Sequence, residues 1–293
     1  MHYFTIRDVE NLSGIKAHTL RIWEQRHGLR ICKRKESLHR YYDNEDLKFI
    51  LRIAHLYHKG QRISRLAALS ADEINQLTIE SFKSGEYDVL INQLIDAGLE
   101  YNALQFEQSL RTAVKSMGLE KCIQNVIYPF LDKIGLLWMT NHVLPGHEHF
   151  CGHLLQKLLL SSINELPPVK STKPYCVLLF TPPNEMHYLP LLIAQYVLKK
   201  KAIRTVMLGS NIDADIISYC CDNMEITHLY FHFITNLTGF NTSDYIDMLA
   251  SRFANKRIIA GGGALKEMVH APSNVHITRS AQEITALHLL LDK

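Results

Sequence analysis

The chain has 293 residues, of which 47% are hydrophobic and 21% charged, as expected for a soluble globular protein of two or three domains. The first 70 residues, the basic head, carry 14 basic and 7 acidic side chains, a net charge of +7. The remaining residues carry 18 basic and 22 acidic side chains, a net charge of −4. No apolar run resembles a signal peptide or membrane span, and the six cysteines form no C-x-x-C pair. These features exclude membrane and disulfide-framework proteins and predict a cytoplasmic protein whose basic head suits a polyphosphate partner.

Two short helical patterns meet at Ser13-Gly14 near the start of the chain. Glycine tolerates a positive φ, so it can end the first helix and form a tight turn. The second pattern runs to Gly28 and places Leu20 and Trp23 on its inner face. The outer face of this second helix carries His18, Thr19 and Arg21. Two helices joined in this way predict a helix-turn-helix, whose second helix can enter a DNA major groove.

The segment TLRIWEQRHGL, at residues 19–29, is followed by a basic stretch that ends in Arg40-Tyr41-Tyr42. This pattern resembles the DNA-binding domain of the MerR family of transcriptional regulators. The resemblance implies a winged helix-turn-helix that binds a pseudo-palindromic DNA operator as a dimer. Base contacts are expected from His18, Thr19 and Arg21, and phosphate contacts mostly from Arg26, Arg40 and Tyr41. A helix that begins at Asp43, with Asp46 as capping partner, and a short helix over 63–69 complete this domain.

Residues 76–166 predict an all-helical region. Apolar residues recur with helical spacing over 87–99, 102–117, 119–139 and 147–166, with breaks at Gly118 and Pro145-Gly146. Four such helices predict a four-helix bundle. A proline-containing linker follows over 166–174.

Beyond the linker, short apolar runs alternate with helical patterns. Strands are expected at 175–180, 205–208, 228–234, 257–260 and 275–278, and helices at 189–200, 214–222, 245–254 and 281–291. Alternation of this kind predicts a parallel, doubly wound sheet that binds ligands at the carboxyl ends of its strands. The predicted fold is therefore multidomain α and α/β. It comprises a winged helix-turn-helix (residues 1–75), a four-helix bundle (76–166) and a C-terminal Rossmann-like parallel sheet (175–293).

Two motifs lie near the expected ligand-binding edge. Trp138 is followed by Glu148-His149, and the loop after the first predicted strand contains Glu185-x-His187. With the domain order, these motifs resemble the cobalamin-binding MerR-type regulators, which include light-responsive repressors. The resemblance implies that His187 is the lower axial ligand of cobalt, oriented by Glu185.

The same resemblance implies the rest of the site and its use. Trp138, Glu148 and His149 would line the upper face of the cofactor, and Gly209, His232, Gly261 and Gly262 would surround its nucleotide tail. The expected cofactor is cobalamin, most simply adenosylcobalamin. It would control homo-oligomer assembly, as a dimer or tetramer, and thereby DNA affinity, and light would cleave the adenosyl group.

Three positions depart from the family pattern. Pro190 replaces the glycine of E/D-x-H-x-x-G, His232 replaces a serine at the end of the third strand, and Met139 replaces a histidine that follows the bundle tryptophan, although His142 is nearby. Pro190 and His232 support an alternative, a regulator that has lost the cofactor and responds to a protein partner, whereas Met139 argues against a photoproduct with two histidine ligands. A methyl transferase or mutase module would need a substrate domain for which no residues remain, so we predict that the chain is not an enzyme. A nucleotide sensor that uses the triplet Gly261-Gly262-Gly263 lacks a G-x-G-x-x-G fingerprint.

Overall fold

The computed structural model describes residues 4–29, 33–34, 40–80, 87–139, 144–170, 173–234, 241–265, 268 and 270–292. Within these ranges, no helix combines the length and apolar character needed to cross a bilayer. The order of elements is helix-turn-helix, helical bundle and α/β sheet, as the sequence predicts.

The N-terminal domain begins with α1 (Ile6–Ser13) and α2 (Ala17–His27). Gly14 between them has φ +71°, the left-handed conformation that its position in the turn requires. The carboxylate of Glu10 accepts the backbone N–H of Ala17 at 3.1 Å, which satisfies an unpaired donor at the start of α2. Leu20 and Trp23 are buried, as predicted, so the opposite face of α2 is turned outward.

A two-stranded antiparallel ribbon follows, formed by β1 (Lys33–Arg34) and β2 (Arg40–Tyr41). The next helix, α3 (Asn44–His58), starts with the predicted cap: Asp43 accepts the N–H of Asp46 at 2.9 Å and donates its own N–H to Asp46 at 3.0 Å. The domain ends with α4 (Ile63–Leu66) and α5 (Ala71–Glu80). Ile74 of α5 is buried in the same core as Leu20 and Trp23, so the proposed boundary at residue 75 falls within a helix of this domain.

The bundle contains α6 (Asp88–Leu99), α7 (Ala103–Met117), α8 (Leu119–Cys122), α9 (Tyr128–Met139) and α10 (Pro145–Glu165). A π-helical segment, Ile123–Ile127, joins α8 to α9, so the third predicted helix is interrupted rather than regular. Ile123, Val126 and Ile127 are fully buried, and the extra residue in this turn brings all three toward the core.

The C-terminal domain has a five-stranded parallel sheet of order β4-β3-β5-β6-β7. The strands are β3 (Cys176–Phe180), β4 (Arg204–Gly209), β5 (His228–His232), β6 (Arg257–Gly261) and β7 (Val275–Thr278). The helices are α11 (Leu189–Lys200), α12 (Ala214–Asn223), α13 (Thr242–Arg252) and α14 (Ala281–Thr285). The chain order reverses between β3 and β5, which makes the carboxyl end of β3 the switch point at which such sheets bind ligands.

Two predicted elements end earlier than expected. The strand predicted over 228–234 stops at His232, because the N–H of Ile234 bonds to Glu185 instead of to the sheet. The last helix is split into α14 and a 3-10 segment, Leu287–Leu290. The tighter turn directs Leu287 onto the sheet, whereas Ile284 packs against the bundle.

Helix α11 lies between the sheet and the bundle. One face of α11 contributes Leu191, Ala194 and Leu198 to a core with the sheet. Its other face contributes Leu192, Ile193 and Val197 to the core of the bundle. The N-terminal half of α10 lies near the loop that follows β3, because Tyr188 bonds to Gln156 and the charge of Glu148 acts on His187.

Candidate functional site

The outward face of α2 presents the residues predicted to read DNA. His18 and Arg21 are exposed and Thr19 is partly exposed, and the hydroxyl of Thr19 lies 3.3 Å from Nε2 of His18. Arg26 is exposed at the end of the helix, and Tyr41 is partly exposed on β2. The side chain of Arg40 lies outside the described part of the structure, as do Arg30 and residues 35–39. The described residues thus place four of the predicted contacts on one helix and a fifth on the ribbon beside it.

A histidine–glutamate pair occupies the loop after β3. The carboxylate of Glu185 is fully buried and accepts two bonds from His187, from the backbone N–H at 3.0 Å and from ring Nδ1 at 2.6 Å. Its second oxygen accepts the backbone N–H of Ile234 at 2.9 Å. With the proton on Nδ1 held by Glu185, the lone pair of Nε2 is the free coordination position of a neutral imidazole. The side chain of His187 is 44% exposed, so this position is accessible.

The surrounding loop is tied to the loop after β4. Thr181 donates its hydroxyl to the carbonyl of Glu185 and accepts the N–H of Asn211 at 3.0 Å. Asn184 adopts a positive φ of 64° and bonds to the side chain of Asn211 at 2.8 Å. Glu185 adds a link to the segment after β5 through Ile234. Three loops at the carboxyl edge of the sheet therefore fix the position of the His187 ring.

Opposite this loop lies one face of α10. Tyr188 donates its hydroxyl to Gln156 at 3.0 Å, and the charge of Glu148 acts on His187. Glu148, Gly152 and Gln156 are spaced by four residues and share this face. A Cβ at Gly152 would have no neighbour within 4 Å, so space remains between the helix and the loop. Glu148 and His149 are themselves exposed.

Two histidines at this edge have opposite electrostatic environments. The hydrogen bond to Glu185 raises the pKa of His187 above its ordinary value, although burial opposes it, and the charges of Glu185 and Glu148 add to the increase. Burial lowers the pKa of His232 to about 4, so its ring is neutral near pH 7. His187 therefore offers a polarised, accessible imidazole, whereas His232 is a neutral interior group.

The glycines expected beside a nucleotide tail differ in their surroundings. Gly209 turns the chain after β4 with φ +86° and has open space at its Cβ position. A Cβ at Gly261 would lie 2.5 Å from Oγ1 of Thr278 and 2.8 Å from Nδ1 of His232. A Cβ at Gly262 would lie 1.8 Å from the carbonyl oxygen of Phe233. The space at Gly261 is filled by neighbouring side chains, and Gly262 is required by the close approach of the backbone of Phe233, just after β5.

Trp138, expected above the cofactor, packs on the DNA-binding domain. Its partly buried ring adjoins the helix-turn-helix core, and Nζ of Lys48 on α3 lies 5.7 Å from the ring centroid. This distance is within the range of a cation–π contact. The side chain of Met139 and the whole of His142 lie outside the described part of the structure. Trp138 thus links the last bundle helix before α10 to the DNA-binding domain.

Sequence reasoning did not identify four residues that define these sites. Tyr230 and Thr278 enclose His232, Ile234 anchors Glu185, and Lys48 meets Trp138. Strand periodicity carried a signal for Tyr230, because residues i and i+2 of β5 share one face of the sheet. The contacts of Ile234 and Lys48 join residues far apart in the chain, so no local pattern reports them.

Matches to known proteins agree with this architecture. Residues 4–72 match the family described as MerR HTH family regulatory protein, and residues 90–160 match the B12 binding domain. The chain therefore joins a MerR-type helix-turn-helix to a B12-binding domain, which defines a transcriptional regulator. Recognition of this combination from the sequence is confirmed.

Two curated proteins from Myxococcus xanthus are similar to the chain. The HTH-type transcriptional repressor CarH is 22% identical over 219 residues, covering 72% of each chain. The HTH-type transcriptional repressor CarA is 21% identical over 286 residues, covering 96% of this chain and 95% of CarA. The monomethylamine corrinoid protein of Methanosarcina barkeri has a TM-score of 0.55 at 13% identity, covering 70% of this chain and 99% of that one, which confirms the fold.

Proposed function

We propose that this regulator binds a cobalamin between its helical bundle and its Rossmann-like domain, and that the bound cobalamin controls assembly and DNA affinity. The observation that carries the proposal is the Glu185–His187 pair at the switch point of the sheet. A fully buried carboxylate that fixes the tautomer of an exposed imidazole is the arrangement found around metal-ligating histidines.

The immediate surroundings of His187 fit a flat corrin ring. Met186, next to His187 in the chain, is 63% exposed, and Ile234, whose backbone bonds to Glu185, is 40% exposed, so the loop region presents apolar surface to a ring. Across from them, Gly152 leaves room on α10. In this assignment Nε2 of His187 would bind the cobalt, Glu185 would orient the imidazole, and Glu148 and His149 of α10 would contact the cofactor from the opposite side. Bound adenosylcobalamin would supply a photolabile cobalt–carbon bond.

We propose that a dimer binds a pseudo-palindromic DNA site. Base contacts would come from His18, Thr19 and Arg21. Phosphate contacts would come from Arg26, Arg40 and Tyr41. The support is the outward face of α2 and the basic charge of the head. A gel-shift titration at several salt concentrations tests it, because each phosphate contact contributes to the salt dependence. Salt-independent or absent DNA binding by the full chain would contradict this assignment.

Trp138 offers a route from the cofactor to DNA. In the structure its ring rests on α3 of the DNA-binding domain. A ligand shifts such an arrangement only if it binds one conformation better than another. We propose that Trp138, which lies against Lys48 here, would leave α3 if it covered a bound cofactor. The change in contact between bundle and head would then alter dimer or tetramer assembly.

Size-exclusion chromatography and DNA titration of the full chain test this control. The two measurements are made without cofactor, with adenosylcobalamin in the dark, and after green illumination. We expect the dark complex to elute at a different volume and to change DNA affinity, and illumination to reverse both. Identical elution in all three conditions contradicts control of assembly, whereas a dark shift that survives illumination describes a sensor that does not respond to light.

One observation favours a second candidate, a regulator without cofactor that responds to a protein partner. His232 and Thr278 fill the space over Gly261, where the tail of a cobalamin was expected. A visible-absorption titration in the dark distinguishes the two. If neither cobalamins nor other corrinoids bind at micromolar concentration, the cofactor-free candidate replaces the first.

A further inference from the structure

Side chains at the carboxyl ends of three neighbouring strands pack tightly against one another in a layer on the bundle-facing side of the sheet. His232 of β5 pairs with Gly261 of β6, which pairs with Thr278 of β7. The side chains of His232 and Thr278 meet above the glycine, since both lie within 3 Å of its Cβ position. Both are buried, with exposures of 4% and 2%. The glycine thus makes room for protein side chains of its own domain.

The His232 ring is held in this layer. The Tyr230 hydroxyl lies 3.3 Å from Nδ1 of His232, and Tyr230 is fully buried two residues earlier on the same face of β5. The hydroxyl of Thr278 donates to the carbonyl of Ala260 at 3.2 Å, which fixes the other side of the layer. To open the space over Gly261, the protein would have to break the Tyr230 contact and unpack a close-packed interior.

The chemistry of a corrinoid makes this layer relevant. In cobalamin a ribose phosphate carrying benzimidazole hangs from the same face of the ring to which its base coordinates cobalt. If His187 takes that coordination position, the displaced tail must lie beside His187, on the sheet side of the ring. The carboxyl ends of β5 to β7 are there, and pockets for groups of this size occupy roughly 300 Å³ or more. The side chains of His232 and Thr278 fill the part of this region above Gly261.

We infer that His232, supported by Tyr230 and Thr278, excludes the nucleotide tail, so that the site prefers an incomplete corrinoid, without a nucleotide, over cobalamin. This inference rests on the proposed function, because it assumes that His187 coordinates cobalt. It assigns to His232 the role of a specificity-determining residue, whereas His187 determines whether any corrinoid binds.

The test compares two probes, aquocobinamide and hydroxocobalamin, on the full-length protein in the dark. Dissociation constants come from visible-absorption titrations and are checked by equilibrium dialysis. Cobinamide has no base for His187 to displace, so some preference for it is expected in any protein that supplies a histidine. The diagnostic quantity is therefore the dissociation constant of hydroxocobalamin divided by that of aquocobinamide. We compare this ratio between the wild type and His232→Ser, in which a small hydroxyl replaces the ring.

We expect the wild type to bind cobinamide more tightly and the ratio to fall about tenfold in His232→Ser, through tighter binding of cobalamin. An unchanged ratio, or a wild type that binds cobalamin at least as tightly as cobinamide, overturns the inference and leaves the proposed function intact. Binding of neither probe overturns the proposed function and the inference with it.

Circular dichroism verifies folding, and His232→Ala replaces the serine variant if that variant is unfolded. His187→Ala should bind both probes about 100-fold or more weakly than the wild type, whereas unchanged binding removes His187 from the site and overturns both the inference and the proposed function.

Discussion

His187 and His232 lie at the same edge of the sheet and near the same carboxylate, yet the structure gives them opposite properties. The Glu185 carboxylate binds His187 directly, leaves its Nε2 accessible and raises its pKa. His232 is buried beside Tyr230, and its pKa falls to about 4. The residue type therefore does not set the role of a histidine. A direct partner and access to solvent make a potential ligand, whereas enclosure makes a packing group.

The largest expected effect comes from removing the accessible member of the pair. His187→Ala should weaken corrinoid binding by about 100-fold or more, because the imidazole is the proposed ligand itself. The fold should survive, since Glu185 keeps its bonds to the backbone N–H groups of residues 187 and Ile234. Visible-absorption titration measures the loss. His276→Ala, on the exposed part of β7, is the matched control and should bind as the wild type does.

The enclosed histidine, His232, should instead affect how the free energy of unfolding depends on pH. The folded pKa of His232, about 4, lies below the unfolded value near 6.5, so the unfolded chain binds the extra proton. Its contribution is fully present above pH 6.5 and is lost as the pH falls toward 4. Between pH 7.5 and pH 5 this group alone should lower the free energy of unfolding by roughly 2 kcal/mol.

Urea unfolding of the wild type and of His232→Asn at both pH values isolates this contribution. Asparagine does not titrate, and its side-chain oxygen can still accept the Tyr230 hydroxyl. His55, His228 and His288 also have lowered pKa values, so both proteins should lose stability in acid, and only the difference between them reports on His232. Equal losses would show that His232 is not enclosed as described.

A smaller effect should follow from changing the carboxylate between the two histidines. In Glu185→Gln, an amide NH₂ must face either the N–H of Ile234 or the two N–H groups of His187, so one of the contacts that hold the His187 loop is lost. Corrinoid affinity should fall by about tenfold, the lower end for partners of metal-ligating histidines. The free energy of unfolding is measured in parallel. A loss of stability with unchanged affinity would make Glu185 a structural residue only.

The smallest expected effect concerns the link to the DNA-binding domain. Lys48 and Trp138 should have a coupling energy of about 0.5 kcal/mol, the value for a partly exposed cation–π contact. A double-mutant cycle with Lys48→Met and Trp138→Leu, each of which removes one partner, measures it by thermal unfolding. Lys59→Met, at the C-terminal end of α3, is the control. Additive effects of the two substitutions would separate Trp138 from Lys48 and remove the support for the proposed route to DNA.

The order of domains, most helix and strand bounds and the two family resemblances follow from the sequence, because they depend on local periodicity, caps and short motifs. The capping pair Asp43 and Asp46, the buried face of α2 and the alternation of strands with helices are such features. The sequence also predicted that Glu185 would orient His187. The two residues are two positions apart in one loop, so their contact is a local feature.

Tertiary structure alone decided what surrounds these residues. Side chains from three strands close over Gly261, the N–H of Ile234 bonds to Glu185 across 49 positions of the chain, and Trp138 rests on Lys48 instead of standing above the sheet. Such contacts join segments that are distant in sequence, and their geometry depends on how helices and strands pack together. A pattern along the chain can name a histidine at the edge of a sheet, but only packing determines whether its ring is exposed as a ligand or enclosed as part of the core.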